Sequence, residues 1–325
     1  MNRWLWIALI VLGLVAPFVF YPVFVMKLLC FALFACAFNL LLGYTGLLSF
    51  GHAAFFGGAA YITGHAVKVW GLTPELGILL GTAAAGVLGL VVGSLAIRRH
   101  GIYFAMITLA LAQIVYFVAL KAPYTGGEDG LQGIPRGQLF GLIDLEQSLN
   151  MYYLVLAIFL GGFWLVARVV DSPFGQVLKA IRENEPRALS LGYDVARFKL
   201  IAFVISAALA GTAGATKALV FQFATLTDVH WATSGEVVLM TLLGGVGTLL
   251  GPVVGAFTVV SLHSKLSFIG AWVTVIIGAT FIVCVLLFRR GIVGELAELY
   301  RKQFGGPRRP NNHKKLAPSP RQREA

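Results

Sequence analysis

Stretches of about twenty largely apolar residues, each long enough for a helix to cross a bilayer, recur near 4–20, 24–42, 53–69, 76–97, 102–120, 151–169, 200–221 and 268–288. A glycine-broken stretch at 235–262 is a ninth candidate. Hydrophobic residues fill 58% of the 325 positions and charged residues 12%, where soluble domains hold about 25% charged. Mean hydropathy is +0.84. A chain so sparsely charged belongs in lipid, where apolar side chains form the surface. The fold class expected is an all-α polytopic membrane protein, with about eight transmembrane helices plus one or two glycine-broken or re-entrant segments. The first run could be a signal peptide. Val15-Ala16-Pro17-Phe18 offers no small-x-small cleavage site and further spans follow, so an uncleaved first span is expected.

The net charge of +11 invites a nucleic-acid partner. Its distribution argues against one, because residues 289–325 hold ten Lys/Arg and three Glu directly after an apolar run. Basic residues beside spans fix those ends in the cytoplasm. Arg98 and Arg99, Arg168, and Arg289 and Arg290 therefore mark cytoplasmic ends, and the acidic 121–150 loop lies outside. Parity then requires 235–262 to enter and leave on the outer side, or otherwise to fall short of one full crossing. The chain divides into a transmembrane domain over 1–290, with a cytoplasmic segment 171–199 inside it, and a cytoplasmic basic tail over 291–325. That tail is rich in Pro and charge and should be disordered from about 305. Cys30, Cys36 and Cys284 sit in apolar runs as small hydrophobes, with neither a disulfide framework nor a metal site expected. Lys27, Lys68, Lys121 and Lys217 lie near enough to span ends to snorkel.

Two glycine clusters interrupt the helical pattern, "LLLGYTGLLSFGH" at 40–52 and "TLLGGVGTLLGP" at 241–252. At an offset of 201, positions 40–48 match 241–249 at Leu41, Leu42, Gly43, Gly46 and Leu48, a possible internal repeat. Backbone that leaves the helix at membrane depth must line a cavity or be buried in protein. Paired breaks in corresponding positions are a device by which transporters meet substrate. Gly43, Thr45, Gly46, Ser49, His52, Gly244, Gly245 and Gly247 are the candidate path residues, with tight helix packing as the alternative. For His52, a neutral imidazole bonding a freed carbonyl is weighed above substrate contact. Ser234 before Gly235 and Glu236 has the form of an N-cap with an acid in the first turn.

No G-x-x-x-x-G-K-[ST] and no H-E-x-x-H occurs, so the chain holds neither a Walker loop nor an intramembrane metalloprotease site. Ser49 lies in no nucleophile elbow. An enzyme is not expected. The span centres are almost free of ionisable residues, which speaks against a self-powered carrier. A separate subunit is the expected power source.

The segment "DSPFGQVLKAIRENEPRALSLGYDVARFK", 171–199, reads as a cytoplasmic amphipathic helix and a second short turn. Ser172 caps, Pro173 suits the first helical position, and Phe174, Val177, Leu178 and Ile181 form one apolar stripe. Asn184 can cap the second turn and Gly192 close it. Such a helix can lie on lipid, pack on its own bundle, or dock in a partner's groove. Docking would place the stripe in the groove and Arg182 and Glu183 at its rim.

This segment resembles the cytoplasmic loop of LivM-type permeases, the branched-chain amino-acid subfamily of ABC importers, with its S-P-x-G-x-x-x-x-A-I-R-x-N-E pattern. "GYTGLLSFGHAAFFGGAAY", "RRHGIYFAMITLALAQI", "TGGEDGLQGIP" and "LLGGVGTLLGPVVGA" are similar to other stretches of that family, as is the end Arg290-Gly291-Ile292-Val293-Gly294. Gln176 stands where the family often has Arg and Pro186 where it often has Leu, a change that could shorten the second turn. The resemblance implies a permease subunit in the bacterial cytoplasmic (inner) membrane. It would form the path for branched-chain or related amino acids, with urea or short amides as the same-family alternative. A self-contained channel or secondary carrier is the alternative from another class. Its implied partners are a second LivH-type permease subunit, two ABC ATPase subunits, and a periplasmic or lipid-anchored binding protein. No cofactor is implied in this chain, ATP being hydrolysed by the partners. The implied ATPase-coupling residues are Ser172, Phe174, Gly175, Val177, Leu178, Ala180, Ile181, Arg182, Glu183, Asn184, Glu185 and Gly192.

Overall fold

The computed structural model describes residues 3–266 and, beyond them, positions 270, 275–276, 278–279, 281–282, 286 and 291–295. The span expected at 268–288 falls largely outside the described residues, as do Cys284, Arg289, Arg290 and the tail from 305. Twelve α-helices lie within residues 3–266: α1 (Arg3–Val19), α2 (Pro22–Thr45), α3 (His52–Lys68), α4 (Pro74–Ala96), α5 (Ile102–Lys121), α6 (Ser148–Asp171), α7 (Pro173–Glu183), α8 (Glu185–Ser190), α9 (Val195–Phe221), α10 (Leu226–Val229), α11 (Trp231–Gly244) and α12 (Gly251–Leu266). Five of them, α2, α4, α5, α6 and α9, are long and apolar enough to cross a membrane. The protein is an all-α polytopic membrane protein. Prolines open α2, α4 and α7, where a missing amide costs nothing and the fixed φ suits a first turn.

α2 is the central element, buried along most of its length and packed by α6, α9, α11 and α12. Phe34 of α2 stacks on Phe56 of α3 with ring centroids 4.5 Å apart. Small residues bring α4 against α9: a Cβ added at Gly93 would meet Leu200 and Phe203 side chains at 2.9 Å. Close backbone approach is what holds helices together where lipid removes the hydrophobic drive.

The loops sort to two ends. At one, β1 (Leu131–Gln132) pairs antiparallel with β4 (Phe223–Ala224), and the Lys68 ammonium donates to the Gln132 carbonyl at 2.6 Å. A second two-residue pair, β2 (Gln138–Leu139) with β3 (Ile143–Asp144), lies in the same loop. At the other end sit α7 and α8, with His100 reaching Glu185 at 3.5 Å. The 121–150 loop and the Arg98–Arg99 turn are thus on opposite sides, as the basic and acidic loops require.

The 235–262 stretch forms parts of α11 and α12, helices of 14 and 16 residues. At about 1.5 Å per residue they reach roughly 21 and 24 Å, short of the about 30 Å hydrocarbon layer. They run antiparallel and in contact, since a Cβ on Gly244 would meet Gly255 N at 3.0 Å and one on Gly255 would meet the Met240 carbonyl carbon at 2.7 Å. The segment is a helical hairpin, α12 running back beside α11 toward the end from which α11 starts.

Candidate translocation and coupling site

The two glycine breaks meet. α2 stops because Gly46 takes a left-handed φ of +75° and its amide donates back to the Leu42 carbonyl at 3.2 Å. Gly247, its partner at offset 201, has φ +78°. The two matched glycines thus share a left-handed φ, whereas Gly245, at φ +121°, departs from its helical counterpart Tyr44. Asn39, buried in α2, joins the breaks: its Nδ2 donates to the Thr248 carbonyl and its Oδ1 accepts from the Gly247 amide, both at 2.9 Å. Gly43 has no room for a side chain, because a Cβ would lie 2.7 Å from the Gly247 amide nitrogen. Gly245, with φ +121°, stands against Gly291, whose own Cβ would meet Gly245 N at 2.6 Å. Sequence reasoning passed over Asn39, although a lone amide within an apolar span was a visible signal.

The amphipathic segment folds as its caps dictate. Ser172 Oγ accepts from the Gly175 amide at 3.3 Å, and Asn184 Oδ1 accepts from the Arg187 amide at 3.1 Å. Gly175 lies so near the Val170 backbone that a Cβ would meet its carbonyl carbon at 2.7 Å. Gly192, at φ +85°, closes α8. Pro186 sits in the first turn of α8 and leaves a turn of 6 residues intact. Asp194 adds a cap for α9, accepting from the Arg197 amide at 3.2 Å. Glu185 receives the Lys199 ammonium at 2.8 Å.

The stripe itself faces inward, which corrects its assignment to a partner's groove. Leu178 and Ile181 are buried, Ile181 joins Ala188, Val195, Val177 and Phe198, and Phe174 stacks on Phe198 at 5.4 Å. The near ends of α2, α6 and α9 supply the apolar cover, and within one chain that contact needs no association step. Arg182 is likewise not at a free rim. Its Nη1 donates to the Gly43 carbonyl, its stem passes 3.3 Å from where a Gly46 Cβ would stand, and Nη1 lies 3.0 Å from a Cβ built on Gly247. One side chain of α7 therefore touches both breaks. Gln176, Ala180 and Glu183, on the opposite face, are exposed.

Thr45, Ser49 and His52 are buried and engage the chain's own groups rather than an open path. Thr45 Oγ1 donates to the Leu41 carbonyl at 2.5 Å, and Ser49 Oγ accepts from the Gly51 amide at 3.3 Å. His52 Nε2 lies 2.8 Å from Ser206 Oγ, whose proton goes to the Ala37 carbonyl at 2.5 Å. A hydroxyl has one proton, so Nε2 carries the hydrogen toward Ser206. The imidazole reaches the α2 carbonyl through Ser206, not directly. Ser234 is inside α11, whose N-cap is His230, and instead accepts the Ala53 amide of α3 at 2.8 Å. It caps a neighbour's first turn, because Gly51 has no side chain with which to do so.

Lys68 and Lys121 are exposed at helix ends as the snorkelling expectation has it, whereas Lys217 is turned inward. Lys217 Nζ pairs with Asp228 at 2.6 Å, with 8% and 9% of the two side chains exposed. Glu236, released from a first-turn role, lies 3.6 Å from His263 Nε2 of α12. These pairs join residues 11 and 27 positions apart, and no periodicity announces them.

Comparison with known proteins follows the same line. Residues 23–285 match the sequence pattern of a family described as the permease component of branched-chain amino acid transport systems. The high-affinity branched-chain amino acid transport system permease protein LivM of Escherichia coli is 29% identical over 250 residues, covering 68% of this chain and 58% of that protein. The Salmonella typhimurium LivM is 30% identical with the same coverage. The autoinducer 2 import system permease protein LsrC of Klebsiella pneumoniae is 29% identical over 177 residues, 51% of this chain and 49% of LsrC. The chain thus spans under two thirds of the length of these relatives. No solved structure matches it significantly. With the family pattern extending from the first turn of α2 past the hairpin, the chain belongs to the permease components of branched-chain amino acid transport systems.

Proposed function

We propose that the protein is a permease subunit of an ABC importer, forming the path by which branched-chain or related amino acids cross the bacterial inner membrane. ATP is hydrolysed by two separate ATPase subunits, a second LivH-type permease subunit completes the path, and a periplasmic or lipid-anchored binding protein delivers substrate. The α7–α8 end faces the cytoplasm, since the Arg98–Arg99 and Arg168 ends lie there. The observation that carries this reading is the Arg182 bond to the Gly43 carbonyl beside Gly247. A chain without its own ATPase must receive motion through a cytoplasmic contact, and α7 is tied by one residue to both breaks. The ATPase contact falls on the outward face of Gln176, Ala180 and Glu183, and the inward stripe transmits the movement.

The test is Ala180→Trp combined with Glu183→Lys, two exposed positions whose change leaves the stripe intact. The variant is expected to insert and melt as the wild type does while losing co-purification with the ATPase and losing uptake. ATPase binding and uptake at wild-type levels would place the coupling contact elsewhere.

A further inference from the structure

A cavity of about 210 Å³ opens between α2, α10, α11 and α12. That volume suits a few waters or one small solute. Its polar wall brings Lys27 of α2 opposite Asp228 of α10 and Glu236 of α11, with His263 of α12 beside Glu236. Asp228 is already paired with Lys217 at 2.6 Å. Lys27, by contrast, has no carboxylate within salt-bridge reach among the described residues, although Glu236 and Asp228 line the same cavity. Thr227 and Thr233 add hydroxyls to this wall, and Phe31, Met240 and Val260 form its apolar part.

The side chains of Glu236 and His263 are each 36% exposed on helices that lie at membrane depth. A carboxylate turned to lipid there costs several kcal/mol, so this opening faces water or protein. The cavity is also mechanically joined to the breaks. α2 carries Lys27 near one end and Asn39 and Gly43 near the other, and α11 carries Glu236 and ends at Gly244.

We propose that this cavity is the substrate subsite of the translocation path and selects a zwitterionic amino acid with an apolar side chain. Lys27 receives the α-carboxylate, Glu236 receives the α-ammonium, and Phe31, Met240 and Val260 receive the side chain. A simple anion would meet two carboxylates, a simple cation would meet Lys27 and Lys217, and an uncharged amide would leave the Lys27 and Glu236 charges unused. The inference rests on the amino-acid import reading above and names the residues that would impose it.

The experiment uses the complete importer in proteoliposomes, with leucine as the probe and three readouts: uptake, ATPase rate stimulated by the loaded binding protein, and subunit co-purification. Wild-type uptake is measured first, and a wild type that carries an uncharged solute but no leucine overturns the import reading itself. With leucine carried, Lys27→Met and Glu236→Gln are each expected to lower uptake at least about tenfold, the loss of one charged hydrogen bond. Assembly and stimulated ATPase rate should stay within about twofold of wild type. Lys27→Arg and Glu236→Asp, which keep the charges, should recover most of the uptake. Uptake within twofold of wild type in both neutral variants would overturn the subsite. So would loss of co-purification in either, because the charges would then hold a subunit interface.

Discussion

Gly247→Val tests whether the second break acts through Arg182. Gly247 has φ +78°, where a residue with a Cβ costs about 1–2 kcal/mol and a β-branched one is an outlier. The new Cβ would lie 3.0 Å from Arg182 Nη1 and 3.1 Å from the Gly43 carbonyl oxygen, and valine's two methyls reach further still. The guanidinium must move, and its bond to the Gly43 carbonyl, a charged hydrogen bond of about 1.5–3 kcal/mol, is lost. Together these give about 2.5–5 kcal/mol. At about 2 °C per kcal/mol the melting midpoint in detergent should fall by roughly 5–10 °C. Arg182→Ala alone should lose only the hydrogen-bond share, near its lower end because much of that side chain meets water. In the double variant that share has already been lost, so its midpoint should match Gly247→Val and not the sum of the two, a coupling of about 1.5 kcal/mol. Gly235→Ala, in α11 with open space around it, is the control and should be neutral or slightly stabilising. Additive midpoints, or an unchanged one for Gly247→Val, would refute a shared junction.

Asn39→Ala should leave the Gly247 amide and the Thr248 carbonyl without partners, costing about 1–3 kcal/mol for each buried group, with a lower melting midpoint and reduced uptake. Lys217→Met strands Asp228 in a site where only 9% of its side chain is exposed, so it should cost about 3–5 kcal/mol by thermal melting. Adding Asp228→Leu should recover much of that loss, and no recovery would mean that the pair is not the source of it. For sidedness, a Cys at Asp129 should label from outside the cell and a Cys at Glu183 should not. The reverse pattern would invert the membrane orientation.

Much of the fold was legible because bilayer physics writes it in composition. A span needs about twenty apolar residues whatever its neighbours do, so helices such as α4, α5 and α6 are readable locally. The caps at Ser172 and Asn184 were readable for the same reason, each satisfying an amide three residues away. The Gly46 and Gly247 match marked two glycines that share a left-handed φ. What periodicity could not state is which surface a stripe would meet. Phe174, Val177, Leu178 and Ile181 fit a partner's groove and their own bundle equally well as a pattern. Only the placement of the α2, α6 and α9 ends decides between them.

The same limit explains the charges, and there it bears on mechanism. Lys27, Lys217, Glu236 and His263 each lie near enough to a helix end to be placed at the membrane surface by distance along the chain alone. Depth along a helix does not fix the direction in which a side chain points. The break after α2 and the α11–α12 hairpin bring backbone and polar groups inside the layer, and every such group must find a partner there. Asn39 meets that demand for Gly247 and Thr248, Ser234 for Ala53, and Arg182 for Gly43. The polar interior is therefore a consequence of the glycine breaks. Once helices are interrupted at depth, charged and amide side chains gain a place to be satisfied. Glu236 and His263, each 36% exposed, and Lys27, which has no carboxylate in salt-bridge reach among the described residues, line one cavity and exceed what the interruptions need for their own backbone.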